Sequence, residues 1–126
     1  MFSHVMLGAD DIEASRKFYD AVLGTLGIGP GATDALGRVW WRNGKGILGL
    51  TRPIDGNPAS ISNGATLGFA AADQAAVDAF HAAGLANGGT AVEDPPGVRN
   101  NGFGALYLAY LRDPAGNKVC AMYRVR

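Results

Sequence analysis

A single cysteine, Cys120, in 126 residues excludes an internal disulfide and fits a reducing compartment. Charge is scarce at 17% of residues, and it is balanced: lysine plus arginine equals aspartate plus glutamate at 11 each. A chain without net charge has no long-range field to draw it onto nucleic acid or an anionic membrane. Its basic residues are also scattered rather than clustered. Long apolar runs are missing too. The richest window, "GATLGFAAA", stops at Asp73, far short of the about 20 residues a spanning helix needs. The opening "MFSHVMLGADD" has neither the basic start nor the apolar stretch of a signal peptide. These absences predict a cytoplasmic protein that meets neither nucleic acid nor membrane. What is present is a hydrophobic share of 48%, enough for one domain over residues 1–126, and 19 glycines marking many turns.

"FSHVMLG" reads as a strand with Phe2, His4 and Met6 on one face. "ADDIEASRKFYDAVLGTLG" switches to helical spacing, with Asp10 and Glu13 in capping-box positions and Gly24 and Gly27 at the end. "LGRVWWRN" and "KGILGLTRP" are strands about an "NGKG" turn, and "PIDGNPASISNG" is a connection without periodicity. The pattern then starts again. "ATLGFAA" is a strand, and "DQAAVDAFHAAGLA" is a helix opened by Asp73 and closed by Gly84 to Gly89. "TAVEDPP" reads as an edge strand stopped by its prolines, and "GVRNNGFG" as a polar loop. "ALYLAYLRD" and "NKVCAMYRV" make a last hairpin around "DPAGN". Shifting the second half back by 62 residues lays Thr66 on His4, Asp73 on Asp11 and Phe80 on Phe18. A duplicated βαβββ unit is expected, with modules at approximately 1–52 and 64–126.

Three stretches carry a family resemblance: "FSHVMLGADDIEASRKFYDAVLGTLG", "AAVDAFHAAGLANGG" and "LRDPAGNKVCAMY". They resemble, in order and spacing, the glyoxalase / bleomycin-resistance / extradiol-dioxygenase (vicinal oxygen chelate) superfamily. The resemblance implies an α+β fold of two βαβββ modules whose curved mixed sheets form an open cleft. It also implies a homodimer, and in the metal-dependent members one divalent cation (Zn, Mn, Ni or Fe) held by His and Glu side chains from the first and last strands of each module. Open positions on such an ion would let a substrate chelate through adjacent oxygens. Carried over one position at a time, His4 matches, Thr66 stands where histidine is expected, and Cys120 stands at the last-strand glutamate. The first module offers only Leu48 or Gly49.

Each candidate has more than one reading. His4 is a metal ligand, the only one the comparison of positions supports, or a histidine lining the cleft. Cys120 is half of a His/Cys soft-metal site, a histidine-activated nucleophile, or a small hydrophobe in a glutamate's place; with Lys118 the only basic neighbour on its face, the last is favoured. Trp40 and Trp41 are adjacent and so face opposite sides of one strand, one in the core and the other free to wall a ligand. Tyr107 and Tyr110 share that ambiguity, and Arg99 either holds a carboxylate or phosphate or is simply solvated in its polar loop. His4, Thr66, Trp40, Arg99, Tyr107 and Cys120 are thus the expected ligand-binding set, with His4 and Cys120 the catalytic candidates. The expected function is small-molecule binding with the usual metal site largely lost and no cofactor. The alternative is a metal-dependent lyase, isomerase or dioxygenase using His4 with non-standard ligands.

Overall fold

Alternation sets the first element of the computed structural model, which describes residues 1–126. Strand β1 (Val5–Gly8) packs Val5 and Leu7 on the core and leaves Met6 on the other face. Helix α1 (Ile12–Gly24) follows, burying Ser15, Phe18, Tyr19, Val22 and Leu23. Its N-cap is Asp11, whose carboxylate accepts the Ala14 N–H at 3.0 Å. The capping box expected of Asp10 and Glu13 does not form: the cap falls one residue later, and Ala14 has no polar side chain to return the bond. Asp10 instead accepts the Ala59 N–H at 2.8 Å, pinning the connection between the modules. At the helix end Gly27 turns left-handed (φ 81°), so the Ile28 N–H returns to the Leu23 carbonyl at 3.0 Å. Strands β2 (Ala32–Thr33), β3 (Val39–Arg42) and β4 (Ile47–Thr51) complete a sheet of order β1-β4-β3-β2. In it β4 runs parallel to β1 and antiparallel to β3.

The second module repeats the first. Strand β5 (Leu67–Ala70) and helix α2 (Gln74–Ala86) have the lengths of β1 and α1. Val5 to Leu67, Ile12 to Gln74 and the N-caps Asp11 to Asp73 are all the same step of 62 residues. Strands β6 (Thr90–Ala91), β7 (Gly97–Asn100), β8 (Ala105–Arg112) and β9 (Lys118–Arg124) follow, in the order β5-β9-β8-β6 with β7 also on β8. Two expectations change here. "GVRNNGFG" is not wholly a loop, because Gly97–Asn100 pairs antiparallel with β8 from Leu108 to Ala105. "TAVEDPP" contributes only Thr90 and Ala91, opposite Arg112 and Leu111. β6 and β7 lie along one edge of β8, as one strand interrupted around Pro95 and Pro96, which have no N–H for a ladder. The module is again βαβββ.

Gly84, expected to close α2, lies buried inside it. A Cβ there would stand 2.3 Å from Leu111 Cδ1 and 3.1 Å from Phe18 Cε2, so the bare position lets α2 settle against β8 and α1. One core joins the modules: Phe18, Tyr19, Trp41 and Leu50 pack with Val77, Phe80, Leu111 and Val119. At its seam Asp113, only 3% exposed, accepts the Tyr19 hydroxyl at 2.5 Å, the N–H groups of Ala115 and Asn117, and the Asn117 amide. That amide also donates to the Gly8 carbonyl at 3.0 Å. Burial, then the Asp113 charge and hydrogen bond, push the Tyr19 hydroxyl well above its ordinary range. The sheets do not close into a barrel, and β1 and β5 remain edge strands. No helix is long and apolar enough to cross a membrane.

Candidate functional site

Each sheet turns one face to the shared core and one face outward. On the first sheet, Met6, Gly49 and Trp40 are cross-strand partners on the outer face, and His4 stands beside them. The His4 ring lies 6.2 Å from the Trp40 ring, edge-on, and its Nδ1 is 2.8 Å from Ser3 Oγ. Trp40 is fixed from behind. Its Nε1 donates to Asp34 at 3.0 Å and the Arg38 guanidinium lies 5.5 Å from its ring. The Trp40 hydrogen bond, followed by those from Arg38 and Leu36, holds the Asp34 carboxyl well below its usual range. Trp41 faces inward and is 1% exposed, so the adjacent tryptophans divide between core and outer face as alternation requires.

On the second sheet the outer face carries Cys120, 6% exposed, packed with Leu106 and Leu108 and flanked by Tyr110 and Met122. Thr66 is exposed, just before β5 and on the same side as Gly68. Burial pushes the Cys120 thiol up to about 11, with Lys118 opposing and Glu93 adding. At neutral pH the group is a protonated, shielded thiol, and the nucleophile reading loses its chemistry. His4 does not help. Its neighbours are Ser3 and Trp40, and within one chain it makes no hydrogen bond to Cys120. Lys118 ion-pairs with Glu93 and lies 4.9 Å from the Tyr110 ring centroid. Glu93 is the one non-glycine residue with a left-handed backbone (φ 62°).

Arg99 and Tyr107 sit differently from the expected ligand-binding set. The Arg99 guanidinium donates to the carbonyls of Asp94, Pro95, Gly97 and Leu108 at 2.8–3.0 Å, clamping the turn before β7 onto β8. Its donors serve the backbone because the residue lies on a strand, not a loop. Tyr107 faces the core side, and its hydroxyl donates to Asp78 on α2 at 2.7 Å, a bond that raises its pKa. Tyr110, the direct partner of Cys120, is the tyrosine on the outer face. The parity of β8 against Cys120 was the signal that separates the two.

The registers also identify the fourth position of the implied metal set. Gly68 pairs with Cys120 as Met6 pairs with Gly49, so Gly49 rather than Leu48 is the counterpart of Cys120. A Cβ at Gly49 would lie 2.2 Å from Met6 Sδ and 2.6 Å from Trp40 Cζ3, which leaves no room for a carboxylate. The four positions thus offer an imidazole, a hydroxyl, a thiol and nothing. No three His, Cys, Asp or Glu side chains come together as a metal-holding group. This donor set does not fit a divalent Zn, Mn, Ni or Fe ion.

A cavity of about 410 Å³ opens between the N-terminal segment, the β3–β4 hairpin, the end of α1 and β5. His4 lies on its wall, with Trp41 and Leu48 from the inner face of the first sheet.

A fold of two βαβββ modules with open mixed sheets and a histidine before the first strand defines the class. The family model described as "Glyoxalase/Bleomycin resistance protein/Dioxygenase superfamily" matches residues 1–121. The chain belongs to that superfamily. A glyoxalase/bleomycin resistance protein from Albidiferax ferrireducens T118 is 60% identical, with 98% of this chain and 99% of that one covered and a TM-score of 0.96. A lactoylglutathione lyase from Agrobacterium tumefaciens is 25% identical over 97% of this chain and 92% of that one, with a TM-score of 0.66. At 21% identity, a family enzyme from Burkholderia phytofirmans PsJN shares the fold, with 98% of each chain covered and a TM-score of 0.73. No functionally curated protein matches the chain.

Proposed function

We propose that this chain is a small-molecule-binding member of the superfamily in which the usual metal site has been dismantled. The observation that carries the reading is the closure of the Gly49 position by Met6 and Trp40. Thr66 and the buried, protonated Cys120 support it, since neither supplies the anionic oxygen such a site requires. The protein is read as a cytoplasmic homodimer. The unpaired edges of β1 and β5 give a second copy a surface to meet.

A second reading rests on His4, which is exposed and lines the cavity: a metal-dependent lyase, isomerase or dioxygenase completed by non-standard ligands, some from a second copy. Elemental analysis of untagged protein, before and after loading with Zn, Mn, Ni and Fe, separates the two. The binding reading expects no stoichiometric metal and a thermal shift from organic ligands in metal-free buffer. Stoichiometric metal that disappears in His4→Ala would overturn it.

A further inference from the structure

The cavity beside His4 is asymmetric in charge. Its walls are apolar: Leu23, Ile28, Trp41, Leu48, Leu67 and Phe69 meet where the two modules part at one end of the core. Arg42, Asn43 and Lys45 from the β3–β4 hairpin line it as well, and no aspartate or glutamate does, in a chain where acids and bases are equal in number. Arg42 and Lys45 are also unspent. Arg38 and Lys118 pair with carboxylates, and Arg99 and Arg112 hold backbone carbonyls. The two hairpin cations do neither. The tryptophan wall is rigid, because Trp41 Nε1 donates to Asp20 at 2.8 Å and its ring packs 5.6 Å from that of Tyr19. A preformed apolar slot with cations of one sign at one end selects a ligand with the complementary arrangement.

We infer that this cavity, at the end of the first sheet where the seam between the modules meets the face shared by Trp40 and Arg42, binds a small amphipathic anion. Its aryl or alkyl body lies against Trp41, Leu48 and Phe69, and its carboxylate meets Arg42 and Lys45. The inference rests on the small-molecule-binding reading above and names the ligand class. At the ~30 Å³ that a water molecule occupies in the liquid, the volume suits a ligand of roughly a dozen heavy atoms. An arginine offers a carboxylate a planar pair of donors, which a neutral amide does not exploit equally.

The test uses 4-phenylbutyrate and its neutral amide, 4-phenylbutyramide. Binding is followed by calorimetry and by Trp41 fluorescence in Trp40→Phe, which keeps Trp41 as the only tryptophan. Expected are saturable quenching by the carboxylate, about tenfold weaker binding of the amide, and loss of that preference in Arg42→Gln/Lys45→Gln. Both substitutions are at exposed positions, so the variant keeps the fold. Equal affinity for the two probes, or a preference that survives the double substitution, overturns the anion assignment. Calorimetric heat with unchanged Trp41 fluorescence overturns the location while the small-molecule reading stands. Neither heat nor quenching by either probe overturns the inference and leaves the metal analysis to judge that reading alone. Binding that weakens as protein concentration rises assigns the cavity to a second copy of the chain.

Discussion

The two modules solve the same packing problem with opposite strands. In the first, β1 supplies the side chain and β4 the gap: Met6 lies across Gly49, with Trp40 closing from the other side. In the second, β5 supplies the gap and β9 the side chain, with Gly68 across from Cys120. In each sheet a sulfur-bearing side chain thus stands across from a glycine. Their hairpin turns differ more. Asn43 accepts the N–H groups of Lys45 and Gly46 in an exposed turn. Asp113 does the same for Ala115 and Asn117, but is buried and also takes the Tyr19 hydroxyl from the other module. The first module packs around bulk, and the second holds the pair together.

The turn contrast predicts the largest effect. Asp113→Ala leaves the Tyr19 hydroxyl, two N–H groups and the Asn117 amide without their acceptor, and should cost about 4 kcal/mol in urea denaturation. Asn43→Ala, where water replaces the lost acceptor, should cost about 1 kcal/mol or less. Equal losses would break the contrast. Next comes the closed gap: Gly49→Ala should destabilise by about 2 kcal/mol through overpacking, and Met6→Ala in the same chain should restore much of it. Additive effects of the two substitutions would show that Met6 does not fill that space.

A third difference is pH response. Met6 has no proton to lose, whereas the folded state keeps Cys120 protonated up to about 11, against 9.0 for an unperturbed thiol. Unfolded chains lose that proton first, so stability should fall as pH rises from 9 through 11, by about 2 kcal/mol from this residue. Unfolded chains also lose tyrosine protons in this range in every variant. The measurement is therefore the difference between wild type and Cys120→Ala, denatured at pH 7 and at pH 10.5, and parallel losses would remove the thiol as the cause. Smallest is Gly68→Ala, where a Cβ would sit 3.3 Å from Cys120 Sγ. It should change stability by less than about 1 kcal/mol, because the thiol needs to yield only slightly.

Alternation and capping carried most of the fold in the sequence. The 62-residue step, the aspartates opening both helices and the opposed tryptophans all follow from local pattern. What local pattern could not carry was pairing. Gly97–Asn100 is a strand only because β8 offers it an edge, and its polar, glycine-containing sequence has no alternation of its own. The same contact turned Arg99 from a candidate anion ligand into a backbone clamp. At the candidate site His4 and Cys120 were visible as residue types. Their separation onto two sheets, and the filling of Gly49 by Met6, depend on register. Arg42 and Lys45 gave no signal either, since a cation is recognised as unspent only when every carboxylate around it has been placed.

The bond from Asn117 to Gly8 spans 109 positions. A chain leaving the ribosome emits β1 and α1 first, yet the partner of Gly8 and the acceptor for Tyr19 arrive only with the final hairpin. Until then the first module carries a hydroxyl in its core with no acceptor and half of a hydrophobic surface uncovered. Folding should therefore wait for both modules rather than proceed one module at a time, with the docking of β8 and β9 as its slow step.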